Sequence, residues 1–424
     1  MASTPVVPTA QTTATSATAP PKSQRIQQAN FYRPVGPKVI STGNAWASGG
    51  VLNLTQQVDL SLPIRGIRIS FKGRLVVGTT GMASTTPEGF LNLISNIVIQ
   101  GTNARQQGNT TLWAIDLATL YGYLHLISSS AAAFYSINNG GGAGEVQLDS
   151  PSTPFSLNTT TQNTYNPTGT TGTYDFRIVI DMPFYPFASQ AFGEHPHWVP
   201  AFLVRNEEWK DSVQINLSYP VVANGAVAGP LGTGAAGTTL VFSSYGVGTG
   251  SPTVDIYSLP IEMGLELKDQ VLPGIISRVV TPIASVLQTA GNGVTLLNMQ
   301  KQSTPRVFCK FGVGTNPPAM TSLSDTNVTA LGIQLGQNRN VRNVVDVYTH
   351  KALQYDDYQR KLIQGYVHLD FMDSGDPDSA YPGQNIGDGS TFQLNANVTG
   401  VANAQGIIMQ EQVLHTPTGA LYTY

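Results

Sequence analysis

The chain contains only one cysteine, Cys309, among its 424 residues. A single cysteine excludes an intrachain disulfide framework, and its place in an alternating apolar run predicts a small core residue. Charged residues make up only 11% of the chain, well below the roughly 25% that is usual for a soluble domain. Because mixed charge keeps protein surfaces soluble and apart, so little charge predicts a surface that neighbouring molecules largely cover.

Long apolar runs are absent as well. No stretch holds the roughly 18 or more apolar residues of a membrane-spanning helix, and the N-terminus lacks the basic-then-apolar order of a secretory signal. The sequence therefore predicts a protein that is made and assembled in a cytoplasm.

Catalytic motifs are also missing. No Gly-x-Ser-x-Gly elbow occurs, and no histidine lies near Cys309 in the sequence. The single histidines are expected to be packed or surface imidazoles; they are His125, His350, His368 and His415. We therefore predict no catalytic residues and no cofactor. One alternative stays open, because Glu207 and Glu208 beside Trp209 also fit the carboxylates of a glycoside hydrolase on a β-sandwich.

Two short segments contain residue types that bind metals. His195 and His197 would point to the same side of an extended segment, but a further ligand is not evident. The acidic run lacks the spacing and the terminal glutamate of a calcium loop; it consists of Asp370, Asp373, Asp376 and Asp378. We interpret the first segment as a packed loop and the second as a solvated turn, and we predict no metal site.

Alternating apolar and polar residues dominate what the sequence does contain. In 64–72, Ile67, Ile69 and Phe71 share one face, as a half-buried strand requires. Similar runs occur at 176–182, 213–217, 306–313, 366–371 and 407–414. Each half also has one patch of helical periodicity, at 112–127 and 355–363. The sequence therefore predicts an all-β protein made of two antiparallel sandwiches, with short helices in the loops.

The predicted divisions are an N-terminal arm at 1–50, a first sandwich at 51–270 and a second at 271–424. The arm has no acidic residue and four basic ones: Lys22, Arg25, Arg33 and Lys38. The composition of residues 1–21 favours a solvated tail. The alternative is an arm whose basic residues contact a neighbouring subunit or an anionic surface such as lipid or nucleic acid. The segments 156–173 and 222–253 are rich in Gly, Thr, Asn and Ser. We expect them to be long loops without regular structure that make contacts between subunits.

Several segments together resemble one known family. Val254-Asp255-Ile256-Tyr257-Ser258-Leu259-Pro260 looks like a closing strand that leads through Asp269-Gln270-Val271-Leu272-Pro273 into a second domain. The later segments Tyr355-Asp356-Asp357-Tyr358-Gln359-Arg360 and Gly365-Tyr366-Val367-His368-Leu369-Asp370-Phe371 look like its helix and strand. In this order they resemble the double jelly-roll major capsid proteins of tailless icosahedral viruses, such as tectivirus-like bacteriophages with an internal membrane, and more distantly adenovirus hexon.

The resemblance implies two tandem eight-stranded jelly rolls and a structural role in the virion. It also implies self-assembly as pseudo-hexagonal homotrimers into an icosahedral shell, alongside penton and minor capsid proteins, without sequence-specific nucleic acid binding. The arm would then lie on the inner side, facing neighbouring trimers or an internal viral membrane. The alternatives are a carbohydrate-binding β-sandwich adhesin and, less favoured, the glycoside hydrolase.

Overall fold

The computed structural model describes residues 32–54, 58, 62, 64–86, 88–103, 108–127, 133–139, 146–147, 169–183, 209–263, 275–277, 281–288, 293–298, 306–313, 321–322, 324–335, 339–358, 365–370, 392–399, 401, 404–410 and 413–415. Within these ranges, none of the helices is long and apolar enough to span a lipid bilayer.

Among the described residues, the first half of the chain contains fifteen strands and one α-helix. The strands are β1 (Tyr32–Pro34), β2 (Lys38–Ala45), β3 (Val51–Leu54), β4 (Ile64–Gly78), β5 (Met82–Thr85), β6 (Asn96–Asn103), β7 (Gly108–Ile115), β8 (Ala133–Asn139), β9 (Val146–Gln147), β10 (Gly172–Pro183), β11 (Trp209–Ser218), β12 (Ala228–Gly229), β13 (Gly232–Gly234), β14 (Thr239–Ser243) and β15 (Thr253–Met263). Helix α1 is Leu117–Ile127, and a 3-10 helix at Gly89–Leu93 precedes β6.

The second half repeats this plan in a smaller form. Its strands are β16 (Ile275–Ser277), β17 (Thr281–Gln288), β18 (Gly293–Asn298), β19 (Arg306–Val313), β20 (Thr321–Ser322), β21 (Val328–Leu335), β22 (Arg339–Val345), β23 (Tyr366–Asp370), β24 (Phe392–Val398), β25 (Ala404–Gln410) and β26 (Val413–His415). Helix α2 is Val347–Tyr358, and a 3-10 helix at Asp325–Asn327 precedes β21.

The two halves share one strand topology. In the first, one sheet contains the order β2-β15-β4-β10, with β8 and β9 beyond β10, β1 beside β15 and β14 beside β4; the facing sheet has the order β3-β11-β6-β7. In the second, the corresponding orders are β17-β25-β19-β23 and β18-β24-β21-β22. Eight strands connected in this way, with antiparallel pairing throughout, form a jelly roll. The predicted fold class, two tandem jelly rolls with short helices in loops, is confirmed.

We call β2-β15-β4-β10 the first main sheet and β17-β25-β19-β23 the second main sheet. The alternation in sequence decides which side chains of each strand enter the core. On β4, Ile67, Ile69 and Phe71 are at most 1% exposed. On β19 the inward residues Val307, Cys309 and Phe311 are fully buried. Facing apolar sides of two sheets exclude water, and this burial is the main stabilising contribution to each sandwich.

The apolar cores of the two sandwiches are unequal and meet each other. One cluster fills the second sandwich alone. The other fills the first sandwich and also includes Phe308, Tyr366 and Met409, which belong to the second main sheet. The outward side of that sheet is therefore buried against the first sandwich.

Some predicted boundaries differ from the structure. Helix α1 begins at Leu117 rather than at 112, because 108–115 pair with β6 as strand β7. Helix α2 begins at Val347, upstream of the predicted 355–363, and 359–364 lie outside the described residues. Pairing with β15 already begins at Tyr32, inside the segment predicted as an arm. The boundary near 271 lies outside the described residues and stays a prediction.

The prediction of an unstructured loop at 222–253 is wrong. This segment contains β12, β13 and β14, and its hydrogen-bonding partners lie in the same chain. Strand β13 pairs with β5, while β14 pairs with the distal part of β4. Its low apolar content misled the prediction, since backbone pairing with an existing sheet edge needs few large side chains. Of the other predicted loop, 156–168 lie outside the described residues.

Candidate assembly surfaces

The junction between the two sandwiches is an aromatic contact centred on α1. Tyr123 projects from α1 and packs edge-on against Phe308 of the second main sheet, with ring centroids 5.8 Å apart. It also contacts the ring of His368 on β23 at 6.4 Å. Tyr123 is 3% exposed and Phe308 is 1% exposed. Two fully covered rings from separate domains indicate a fixed junction rather than a flexible linker.

A buried ionic cluster lies beside these rings. The Nζ atom of Lys310 lies 3.8 Å from Oδ2 of Asp116 and 4.0 Å from Oε1 of Glu88. The hydroxyl of Tyr366 donates a hydrogen bond of 3.0 Å to the same Oε1 of Glu88. The side chains of Lys310 and Glu88 are fully buried. Because desolvated charges depend on each other, removing one member would leave the others uncompensated.

Both acids of the cluster belong to the first sandwich. Glu88 immediately precedes the 3-10 helix at Gly89–Leu93. Asp116 lies between β7 and α1, where its carboxylate accepts hydrogen bonds from the backbone N–H and the hydroxyl of Thr119. Asp116 therefore has two functions: it caps α1 and it faces Lys310. Burial raises the pKa of Tyr366 well above its ordinary value, and the nearby acids Glu88 and Asp116 raise it further.

The outer face of the first main sheet has a different chemistry. Three cross-strand pairs occupy it: Arg68 with Asp181 at 2.6 Å, Arg74 with Asp175 at 2.7 Å, and Lys72 with Asp255 at 3.4 Å. Their basic side chains remain partly exposed, from 22% for Arg74 to 41% for Lys72. This face is polar and partly exposed to solvent in the single chain, whereas the equivalent face of the second main sheet packs against the first sandwich.

Two of these pairs are bidentate, and the carboxylates raise the pKa of both arginines. For Arg68 and Arg74 the hydrogen bonds that they donate to Asp181 and Asp175, respectively, outweigh the opposing effect of burial. The pKa of Asp175 is lowered: burial acts to raise it, but hydrogen bonds from Arg74 and from the N–H of Gly246 prevail. Paired charges of this geometry order the surface without making it apolar.

Helix α2 presents a third surface. It begins after Asp346, whose carboxylate accepts hydrogen bonds from the N–H and the hydroxyl of Thr349. These bonds lower the pKa of Asp346. Tyr348 is 56% exposed and Leu353 is 52% exposed. Large exposed apolar side chains such as these are unusual on the surface of a folded chain, although the two lie on different sides of the helix.

The small sheet of β5, β12 and β13 is held to the rest of the first sandwich by hydrogen bonds. Thr86 donates from its backbone N–H to Leu231 and from its hydroxyl to Pro230. The buried Asn92 side chain donates to the same Pro230 carbonyl at 3.0 Å. These bonds hold the small sheet close to the 3-10 helix that follows Glu88.

The predicted contact residues of the arm lie on or before the first two strands. Arg33 is in β1, in register with Glu262 of β15. Lys38 begins β2 and is exposed. Lys22 and Arg25 lie outside the described residues, as do His195, His197, Glu207 and Glu208. Asp370 ends β23, and the other three acids of its run fall in the segment 371–391, which the structure does not describe.

The single cysteine and two of the histidines are buried in packed parts of the second sandwich. Cys309 is fully buried, as predicted, and burial raises the pKa of its thiol. The Nε2 atom of His350 lies 2.7 Å from the carbonyl oxygen of Leu331. His368 is 2% exposed and packs among rings. No cluster of three or more potential metal ligands occurs within the described ranges.

The sequence carries one signal of the junction, in the segments that begin α1 and α2. The segments Asp116-Leu117-Ala118-Thr119 and Asp346-Val347-Tyr348-Thr349 have the same Asp-x-x-Thr pattern and start both helices. An N-cap aspartate followed by a hydroxyl three residues later marks a helix start. Comparing the halves at these positions would have given both helix starts and pointed to Asp116.

No protein-family model matches the sequence, and no curated protein matches it. Solved structures match by fold. The major capsid protein of Sulfolobus turreted icosahedral virus aligns with a TM-score of 0.55 and 11% identity, over 92% of this chain and 99% of that chain. VP54 of the virus PBCV-1 aligns with a TM-score of 0.51 and 10% identity, over 90% and 93%.

A quasi-atomic structure of the PBCV-1 capsid gives a TM-score of 0.50 at 12% identity, over 90% of this chain and 93% of that chain. These matches span both sandwiches. At such identities they show the fold, and the fold is that of the double jelly-roll major capsid proteins. The resemblance inferred from the sequence is thereby confirmed.

Proposed function

We propose that the chain is a viral major capsid protein that assembles as a pseudo-hexagonal homotrimer into an icosahedral shell. The observation that carries this proposal is the duplication of one jelly roll within a chain, with both copies held together by a buried junction. Two equivalent sandwiches in each of three chains supply six similar units around one axis. Six similar units around one axis give a nearly hexagonal outline, and hexagons can tile a flat facet of a shell.

The proposed role requires no enzymatic activity. The chain would act by self-association, in which contact surfaces of one copy are buried by another. The small fraction of charged residues, 11%, supports this role because the lateral surfaces of each sandwich become interfaces in a shell. We place the protein in the virion, assembled in the host cytoplasm with penton and minor capsid proteins.

Native mass spectrometry of the purified chain tests the trimer. We expect a species of three times the chain mass of 45.1 kDa, which persists on dilution into the low micromolar range. Electron microscopy of concentrated samples should then reveal shells or flat arrays of trimers. A chain that stays monomeric at all concentrations would contradict the proposal and favour the β-sandwich adhesin.

We further propose that the basic residues Lys22, Arg25, Arg33 and Lys38 contact an anionic surface on the inner side of the shell, either an internal membrane or acidic patches of neighbouring trimers. The support is that the first 50 residues contain no acidic residue, and that Lys38 is exposed. Each cation near an anionic membrane contributes about 1 kcal/mol, and three arms in a trimer act together.

Deletion of residues 1–31 tests the arm, because it removes Lys22 and Arg25 while keeping β1 intact. We expect the trimer to form normally and shell assembly to fail or slow. Replacing the same two residues with Gln should reproduce part of the defect, and raised salt should mimic it. Normal shells from the truncated chain at ordinary salt would contradict this role.

A further inference from the structure

The ammonium group of Lys310 has unusual surroundings for a charged group. Lys310 lies on β19 between Tyr366 of β23 and Ile407 of β25, and its side chain is fully buried. Its Nζ atom donates no hydrogen bond to any residue that the structure describes. The nearest oxygens of Asp116 and Glu88, at 3.8 and 4.0 Å, lie beyond hydrogen-bond distance. A buried ammonium without hydrogen bonds is costly in free energy, so the ionic form of this site is poorly stabilised.

The two carboxyl groups that face Lys310 are held in place by other hydrogen bonds. Oδ2 of Asp116 accepts from the N–H of Thr119 at 3.0 Å, and Oδ1 accepts from the Thr119 hydroxyl at 2.7 Å. Oε1 of Glu88 accepts from the Tyr366 hydroxyl at 3.0 Å. The amine therefore lies on a central strand, and each acid lies at the start of a helix. Groups held this close on rigid elements react as if they were one molecule at very high concentration.

The surroundings of the three groups are apolar. The ring centroid of Tyr366 lies 5.6 Å from Nζ of Lys310 and 5.9 Å from the ring of Phe308, and Tyr123 packs on Phe308 from the side of α1. Such surroundings disfavour separated charges. Transfer of one proton from Lys310 to Asp116 gives an amine and a carboxylic acid, both neutral. A neutral amine is a nucleophile, and a neutral acid is open to its attack.

We propose that Lys310 and Asp116 condense into an isopeptide bond that joins the two jelly rolls covalently. Nζ of Lys310 bonds to Cγ of Asp116, and the bond between Cγ and Oδ2 breaks. Oδ2 leaves as water with two of the three ammonium protons, and the third proton stays on the amide nitrogen. One positive and one negative charge disappear together, and the reaction consumes no oxidant and no further substrate.

Glu88 is the catalytic residue of this reaction. Its Oε1 atom lies 4.0 Å from Nζ of Lys310, so its carboxylate takes a proton from the attacking nitrogen and passes it to the leaving oxygen. Glu88 ends as the carboxylate that it was at the start. The N–H and the hydroxyl of Thr119 donate to the oxygens of Asp116, where negative charge develops in the tetrahedral intermediate.

The same donors set the pace of the reaction. Hydrogen bonds from Thr119 favour the ionised carboxylate of Asp116 over the acid that reacts. Freshly folded chains therefore contain the ionic cluster, and the bond forms slowly afterwards. Its formation replaces a desolvated charge pair with a neutral amide. It also gives the chain a covalent constraint that a single cysteine cannot provide within one chain.

Intact-mass spectrometry of the denatured full-length chain tests the proposal. Samples are taken while the purified protein is incubated at neutral pH for several days. We expect a species lighter by one water molecule to accumulate and to migrate faster on a reducing, denaturing gel. Tryptic digestion should then give a branched peptide in which Asp116 is joined to Lys310. A mass that never changes would overturn the proposal, and this measurement needs no variant that folds.

Three variants test the role of each group. Lys310→Arg keeps a cation but should lose no water, which controls for dehydration elsewhere in the chain. Asp116→Asn keeps a capping side chain and should lose one molecule of ammonia instead of water. Glu88→Gln keeps an acceptor for Tyr366 but cannot carry the proton, so the reaction should slow by about a hundredfold or more. Thermal melts of the fresh proteins show that each variant is folded.

Each contrary result has a definite meaning. Water loss that persists in Lys310→Arg, or a branched peptide that joins Lys310 to Glu88, would overturn the assigned bond. An unchanged rate in a folded Glu88→Gln chain would overturn the catalytic role of Glu88. The inference is independent of the trimer: trimers in native mass spectra without the bond would leave the proposed function standing, and a linked chain that stays monomeric would contradict only that function.

Discussion

The outer faces of the two main sheets occupy the same place in two jelly rolls of one topology, yet their side chains differ. On the second face, the side chains of Phe308, Lys310 and Tyr366 are at most 1% exposed. The first holds paired arginines and aspartates that are partly exposed to water. The same strand order thus supports one sheet face that is buried and one that is exposed to solvent.

The difference follows from whether each surface is covered within its own chain. The second main sheet meets α1 within its own chain, so its apolar side chains are covered once the chain has folded. The first main sheet faces water in a single chain, and a large apolar patch there would cause aggregation. Pairing Arg68 with Asp181 and Arg74 with Asp175 keeps this face soluble while it stays ordered.

The strongest test of this comparison replaces a lysine on each face. Lys310→Met should lower the free energy of unfolding by about 3–5 kcal/mol, because Glu88 and Asp116 stay buried without their cation. Lys72→Met removes a 41% exposed lysine and should cost less than about 1 kcal/mol. Urea unfolding at pH 7 followed by fluorescence measures both. Similar losses for the two variants would show that the faces do not differ as described.

A smaller effect is expected at Tyr366, whose hydroxyl donates to Glu88. Tyr366→Phe keeps the ring against Phe308 and should cost about 1.5–3 kcal/mol, the usual range for a hydrogen bond to a charged group. Tyr348→Phe makes the same change at a 56% exposed position and should stay within about 0.5 kcal/mol of the wild type. Equal unfolding midpoints for all three proteins would show that the Glu88 hydrogen bond contributes nothing.

The smallest expected effect is a change in protein stability at low pH. The pKa of Asp175 in the folded protein is lowered below its ordinary value of 3.8, so the pair with Arg74 stabilises the protein above about pH 4. This contribution is lost as the pH falls through the lower folded value. Arg74→Gln should cost roughly 0.5–1 kcal/mol at pH 7, and the difference from wild type should shrink in thermal melts below pH 4. A constant difference from pH 7 to pH 3 would contradict the assigned pairing.

Local periodicity allowed the fold to be predicted, but the junction needed tertiary information. The alternation around Ile67 and Cys309 gave the inward faces correctly, because a half-buried strand has a strict period of two. The same alternation placed Phe308 and Lys310 on an outward face, where side chains normally meet water. Only the packing of α1 shows that this face is covered.

The helices illustrate a second limit. Leu112 and Trp113 continue the helical spacing of α1, yet they belong to β7 because the edge of β6 offers backbone hydrogen bonds. In the second half, the helical periodicity predicted a helix only from 355, although the Asp346 cap starts it at Val347. In both cases the aspartate cap was the better signal, since it acts on the backbone donors at the helix start.

The buried cluster also sets an order for folding during synthesis. Glu88 and Asp116 leave the ribosome long before Lys310, and a domain generally folds once its own residues are available. A first jelly roll that folds on its own would leave Glu88, Asp116 and Tyr123 facing water at the place where the second jelly roll packs. Such a nascent chain would have an exposed acidic and aromatic site until its C-terminal half covers it. A chaperone that binds such surfaces would have its target during this interval and lose it when Lys310 arrives.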